Sequence, residues 1–180
     1  MQGIVSLLPC PFYEQVNEIW KELEKEAGIV GIKATPYPHF SWQIANNYDL
    51  NKLEIILKEI AKNSKPFLVH TNGLGFFTGE RPVIYIPVVK TREMMSFHLK
   101  VFKLTEGLAN EASKLYDPKS WVPHISLAYE DLNENNICKA VKILLSQNFN
   151  WVFKINNLSV ICENEGKTGT LKFKFPFMKE

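Results

Sequence analysis

The tetrapeptide Pro-His-apolar-Ser occurs twice, as "PHFS" at 38–41 and "PHIS" at 123–126, with its histidines, 39 and 124, standing 85 residues apart in a chain of 180. Each histidine opens an alternating run, "HFSWQIA" and "HISLAYE", of the kind that makes a half-buried strand. After each run comes a segment with apolar residues at helical spacing, "DLNKLEIILKEIAKN" and "NENNICKAVKILLSQ". A spacing close to half the chain, followed both times by strand then helix, predicts an architecture built twice. The other segments fit that plan. "GIVSLLP" reads as a buried strand, "PFYEQVNEIWKELEKEAG" as an amphipathic helix with a Gly end, and "FLVHTNGLGFF" and "VIYIPVV" as strands. Residues from Thr91 to about Leu115 read as one long helix capped by Thr91 and interrupted only by Gly107, "WVFKINNLSVICE" as one strand, and "TLKFKFPF" as an edge strand guarded by its lysines.

These elements predict an α+β fold of two pseudo-symmetric lobes, each a small, mostly antiparallel sheet with helices on its outer face and a cleft between them. The 46% hydrophobic content supports a sizeable core, and no Pro/Gly/Ser linker divides the chain, so residues 1–180 are expected to form a single bilobal domain. A net charge of +2 is too small for a protein that grips duplex nucleic acid mainly through its phosphates. Cys10, Cys138 and Cys162 are odd in number and lack a C-x-x-C pattern, which argues against a disulfide framework or a thiolate metal site and for reduced, partly buried thiols. No apolar run is long enough for a bilayer, and the chain is expected to be a soluble, cytoplasmic monomer.

Strand alternation puts His39, Ser41 and Gln43 on one face and Phe40, Trp42 and Ile44 on the other. By the same parity His124, Ser126 and Ala128 face the cleft while Ile125, Leu127 and Tyr129 face the core. One such histidine would more often be a hydrogen-bonded structural residue, but two copies of the motif at matched positions point to a site. His39, Ser41, His124 and Ser126 are therefore the candidate catalytic residues. Tyr37, Phe76, Phe77 and Trp121 lie beside the motifs or in the Gly-rich segment, where exposed rings could stack on a base at ~1–3 kcal/mol each, although core packing is the commoner fate of such rings. Tyr85, on the strand face of Val83 and Pro87, borders the cleft or covers a helix. Neither His70 nor His98 repeats the motif, and both are read as structural or surface residues. No carboxylates or thiols stand at ligand spacing from the histidines, so no metal and no cofactor is expected.

With "PHFSWQ", "PHISLA" and "LGFFTGERPVIYIPV" in view, the whole chain resembles the 2H phosphoesterase superfamily, which includes 2′-5′ RNA ligase-like proteins and cyclic nucleotide phosphodiesterases. The resemblance implies metal-independent hydrolysis of ribose 2′,3′-cyclic phosphates or 2′-5′-linked oligonucleotides, with RNA ligation as the reverse reaction. Its partners would be RNA ends, nucleoside cyclic phosphates or short 2′-5′ oligonucleotides. It also implies a 2′-phosphate product, with His39 protonating the leaving 3′ oxygen and His124 activating water. Both hydroxyl positions carry Ser where Thr is frequent in the family; either residue supplies a hydroxyl donor. Pro82 stands where many relatives carry a basic residue before the central strand, and the resemblance makes the neighbouring Arg81 the candidate for the phosphate or ribose contact of that position. A non-catalytic RNA-binding module using the same cleft is the competing possibility.

Overall fold

The computed structural model describes residues 1–163 and 168–178. Strand β1 (Gln2–Leu7) leads into helix α1 (Phe12–Ala27), whose Val16, Ile19, Trp20 and Leu23 recur at three- and four-residue spacing and are buried. The helix stops at Gly28, which takes φ of 69° and donates its N–H to the Glu24 carbonyl while Ile29 bonds Leu23. Strand β2 (His39–Tyr48) carries the first motif. Helix α2 (Leu50–Lys62) begins at Asp49, whose carboxylate accepts the Lys52 N–H at 3.2 Å.

The expected strand 67–77 divides into β3 (Phe67–His70) and β4 (Gly75–Phe77), and β5 (Val83–Pro87) follows. Helix α3 (Arg92–Thr105) starts, as expected, at Thr91, which accepts from Met94 N–H. It ends at Thr105, well short of Leu115. After a 3₁₀ turn holding Gly107, residues Ala109–Ala112 form strand β6 against β2, pairing Ala45 with Ala112 and Tyr48 with Ala109. A glycine weakens a helix by only about 1 kcal/mol; the unfilled edge of β2 supplies the rest, a tertiary demand that no local pattern signals. Strand β7 (His124–Ala128) carries the second motif and helix α4 (Ile137–Leu144) follows it. The expected strand 151–163 also divides, at Asn156, into β8 (Val152–Ile155) and β9 (Asn157–Cys162), and β10 (Thr170–Pro176) closes the chain's order.

The fold is α+β, with antiparallel sheets throughout. One sheet has the order β10-β9-β1-β2-β6, with the lysine-bearing β10 at an edge as its sequence predicts. The other side of the molecule joins β4-β5-β7 to β3-β8 through the bridge between Thr71 and Val88. Helices α2 and α3 pack on the first sheet, and α1 and α4 pack together on the side of β7. Neither sheet is built from one half of the chain: β9 and β10 return to the sheet of β1, whereas β7 and β8 complete that of β3, β4 and β5. Phe40, Trp42, Trp121 and Ile125 sit in one shared core. All three cysteines are free; Cys10 and Cys138 are exposed and Cys162 is half-buried, so only the last fits the expected partial burial. Among the described residues no helix is long and apolar enough to cross a membrane.

Candidate active site

Both motif strands are held in the same way. His39 Nδ1–H donates to the Tyr37 carbonyl at 2.5 Å, and His124 Nδ1–H donates to the Val122 carbonyl at 2.7 Å. A carbonyl can only accept, so each Nδ1 carries its ring's proton in the neutral form and each Nε2 is left as the atom able to take another. Two residues on, each serine carbonyl accepts an indole N–H from a different element: Trp121 Nε1 reaches Ser41 at 3.0 Å, and Trp20 Nε1 reaches Ser126 at 3.2 Å. The Trp121 bond ties the approach to the second motif directly onto the first, and β2 and β7 touch.

A β-bulge then interrupts each strand at the same place. On β2 the pairing steps from Ser41 with Val5 to Gln43 with Ile4, skipping Trp42; on β7 it steps from Ser126 with Tyr85 to Ala128 with Ile84, skipping Leu127. The extra residue reverses the alternation beyond it. Gln43 is consequently fully buried, its side-chain oxygen accepting from Tyr48 and Thr105, while Ile44 joins His39 and Ser41 in a hollow of about 70 Å³ that Gly3, Val5 and Thr35 also line. Ala128 is likewise buried, and Tyr129 turns out to the site. The strict alternation expected for Gln43, Ile44, Ala128 and Tyr129 is thus corrected at all four positions.

His124 lines a cavity of about 490 Å³ together with Phe77, Arg81, Val83, Tyr116, Val122 and Tyr129. Phe77 meets the imidazole edge-on with ring centres 4.9 Å apart, and Tyr85 lies 5.2 Å from it, stacked on Phe77 at 4.2 Å. Tyr85 therefore borders the site. Gly75 makes this possible, since a Cβ there would stand 2.5 Å from the Tyr85 ring. Ser126 pairs with Tyr85 across the ladder and so shares its face. Tyr116, from the 3₁₀ turn Lys114–Tyr116, belongs to both motifs: it lines the His124 cavity while its hydroxyl meets the Ser41 side chain. Burial pushes that phenol up to about 12, an effect Ser41 partly offsets, so it stays protonated at any working pH.

Two expected contacts are not in the site. Trp121 is fully buried, stacked at 3.8 Å on His98 and at 5.4 Å on Trp42, with its N–H committed to Ser41, so it cannot stack on a base. Phe76 pairs with the core residue Ile84, on the opposite face of β4 from Phe77, and its exposed ring lies away from His124. Tyr37 is half-buried; its ring packs on Val5, Leu7 and Ile161, and its hydroxyl accepts from the Leu171 N–H at 3.4 Å. Arg81 stands exposed at the rim, beside the Tyr129 hydroxyl. His98, buried in α3, donates from Nε2 to the Trp42 carbonyl at 3.0 Å, but its Nδ1 has no partner among the described residues. Tyr116 and Tyr129 escaped sequence reasoning: the bulge hid Tyr129, and no motif marks Tyr116.

Burial lowers both site histidines. His39 falls to about 4, chiefly through desolvation, which the Tyr37 carbonyl opposes and the charge of His124 reinforces. His124 is lowered by burial against the pull of the Val122 carbonyl. Charge on one ring disfavours charge on the other, so a proton on either opposes a second.

A sequence profile of the 2′-5′ RNA ligase superfamily matches residues 8–167, a span that contains both motifs. The chain belongs to this superfamily. It is an enzyme of the 2H phosphoesterase type, and the fold agrees. A protein of Thermus thermophilus superposes with a TM-score of 0.67 at 16% identity, covering 99% of this chain and 98% of the other. LigT of E. coli, solved with ATP and with 3′-AMP, superposes at 0.59 with 14% identity over the same shares of the two chains. At such identities the likeness is one of fold. A Bacillus mycoides protein bearing the provisional name of phosphoesterase is 24% identical over 181 residues, covering 99% of this chain and 97% of its own.

Proposed function

We propose that this 2H phosphoesterase hydrolyses ribose 2′,3′-cyclic phosphates or 2′-5′-linked oligonucleotides, with His39 and His124 dividing the roles of acid and base. The observation that carries this reading is the matched tethering of two imidazoles by Nδ1 to the carbonyl two residues upstream, which fixes two tautomers with Nε2 available on adjoining strands. Cleavage requires one proton to leave the attacking water and one to reach the departing ribose oxygen. Two imidazoles, one neutral and one cationic, supply both transfers. Ser41 and Ser126, set two residues after each histidine, donate hydrogen bonds to the non-bridging phosphoryl oxygens, where charge builds as the fifth bond forms. Phe77 and Tyr85 stack beside His124 and hold the substrate's base or ribose. The scheme routes no step through a metal ion.

The test is incubation of pure protein with a panel of 2′,3′-cyclic mononucleotides, 2′-5′ dinucleotides and ADP-ribose cyclic phosphate, locating the phosphate in each product. Turnover that survives chelation and is lost in both His39→Ala and His124→Ala supports the reading. Unchanged turnover in either variant, or a silent panel from protein that still binds RNA, refutes it.

A further inference from the structure

His98, fully buried on α3, takes no part in the paired-histidine scheme. Its Nε2–H donates to the Trp42 carbonyl at 3.0 Å, so Nδ1 of the neutral ring is an acceptor, buried with no partner among the described residues. Burial holds the ring neutral against the pull of the Trp42 and Tyr116 carbonyls and the charge of Asp117, and Lys90 acts in the same sense as burial. An orphaned buried acceptor costs about as much as one hydrogen bond returns, or more. The histidine is thus no gain for stability alone, and its one bond matters for where it falls.

It falls on the bulge. Trp42 is the residue that β2 inserts between the pairs Ser41–Val5 and Gln43–Ile4, and β6 covers β2 only from Ala45 to Tyr48. A bulged residue has no ladder partner, and its strand bends there. Side chains take the ladder's place: Trp121 Nε1–H holds the Ser41 carbonyl at 3.0 Å and His98 Nε2–H holds the next one, with the two rings stacked 3.8 Å apart and 17° from parallel. One pair of stacked rings therefore fixes two consecutive carbonyls, the first of them that of Ser41 itself. Resting on the proposed function above, we propose that His98 is a positioning residue for Ser41: its Nε2–H pins the bulge at Trp42 and so sets the direction in which the Ser41 hydroxyl meets the phosphoryl oxygen. His98 touches no substrate. Turnover is sensitive to such placement, since a displacement of about 1 Å can cost on the order of a hundredfold.

The deciding experiment separates the donor from the space it fills. His98→Phe removes the N–H and leaves a ring to stack on Trp121, whereas His98→Gln keeps a donor, because the Gln amide nitrogen stands as many bonds from Cα as Nε2 does. On a 2′,3′-cyclic nucleotide, assayed well below each Tm, His98→Phe should lower kcat about tenfold or more with KM within about twofold, and His98→Gln should stay within about threefold of wild type. In a Ser41→Ala background His98→Phe should cost less than about threefold, because the residue through which it acts is already gone. His98→Leu repeats these measurements should the phenylalanine variant fold poorly. Exchange of the backbone amides of residues 41–43, followed by NMR, should quicken about tenfold in His98→Phe and not in His98→Gln, while that of residues 45–48, paired with β6, holds. Equal kcat losses in the Phe and Gln variants, full additivity with Ser41→Ala, or unaltered exchange at 41–43 overturns the assignment. A wild-type protein inactive on every cyclic nucleotide refutes instead the proposed function, and the exchange measurement then decides by itself whether His98 pins the bulge.

Discussion

Replacing Trp121 by Phe separates a structural lock from a substrate contact. The indole N–H reaches the buried Ser41 carbonyl at 3.0 Å, and the ring is stacked at 3.8 Å on His98 in a site with no exposure to solvent. Phe removes the donor and leaves that carbonyl unpaired, which costs ~1–3 kcal/mol. The smaller ring also leaves space between His98 and Trp42, adding of order 1 kcal/mol. A total near 3 kcal/mol in a chain of this size corresponds to a fall in Tm of roughly 6–12 °C, measured by calorimetry. Because the bond anchors the main chain at the first motif, kcat on a cyclic phosphate should fall along with stability. The matched replacement Trp20→Phe removes the corresponding bond to Ser126, at 3.2 Å, and should act in the same direction with a smaller effect, as its ring is not sealed in the core to the same degree. A Trp121→Phe protein with unaltered Tm and a KM that changes according to the base of the substrate would show that the ring meets the ligand, and the reasoning from burial would fall.

Other perturbations follow from the same geometry. Since His39 titrates at about 4 and His124 also lies below the usual imidazole value, the singly protonated pair is scarce at neutral pH, and kcat/KM should rise as pH falls from 8 toward 6; a profile that peaks above 7.5 contradicts this. The unfolded chain binds these protons near pH 6.5 and the folded chain later, so stability is full above that value and is lost as pH drops from 6.5 toward 4; denaturant titrations should show a shallower loss in His39→Gln. Gly75→Ala puts a methyl 2.5 Å from the Tyr85 ring and, at ~1–3 kcal/mol of overpacking, should lower Tm and slow turnover by displacing Tyr85 from Phe77 and His124. Ser41→Ala and Ser126→Ala should each reduce kcat on the order of a hundredfold, Ser126→Ala with little change in Tm and Ser41→Ala with a lowered Tm because the Tyr116 hydroxyl loses its partner, and a kcat loss below threefold would remove them from phosphate binding.

How far the sequence alone reached depends on the range of the forces involved. The helices at 12–27 and 50–62 were legible because amphipathic spacing, the cap at Asp49 and the stop at Gly28 act within a few residues. The two motif strands, their duplication and the edge position of the last strand were legible for the same reason. Alternation along a strand is a local rule only while the neighbouring strand keeps step, and here β1 and β5 impose bulges at Trp42 and Leu127 that exchange Gln43 for Ile44 and Ala128 for Tyr129 at the site. Partners remote in sequence likewise divided 67–77 between β8 and β5, sent β8 and β9 to different sheets, and drew 109–112 out of a helix to pair with β2. Trp121 shows the contrast most simply: its place beside the motif was visible in the chain, but the stacking on His98 and the bond to Ser41 that withdraw it from solvent come from residues 23 and 80 positions away, which only folding brings together.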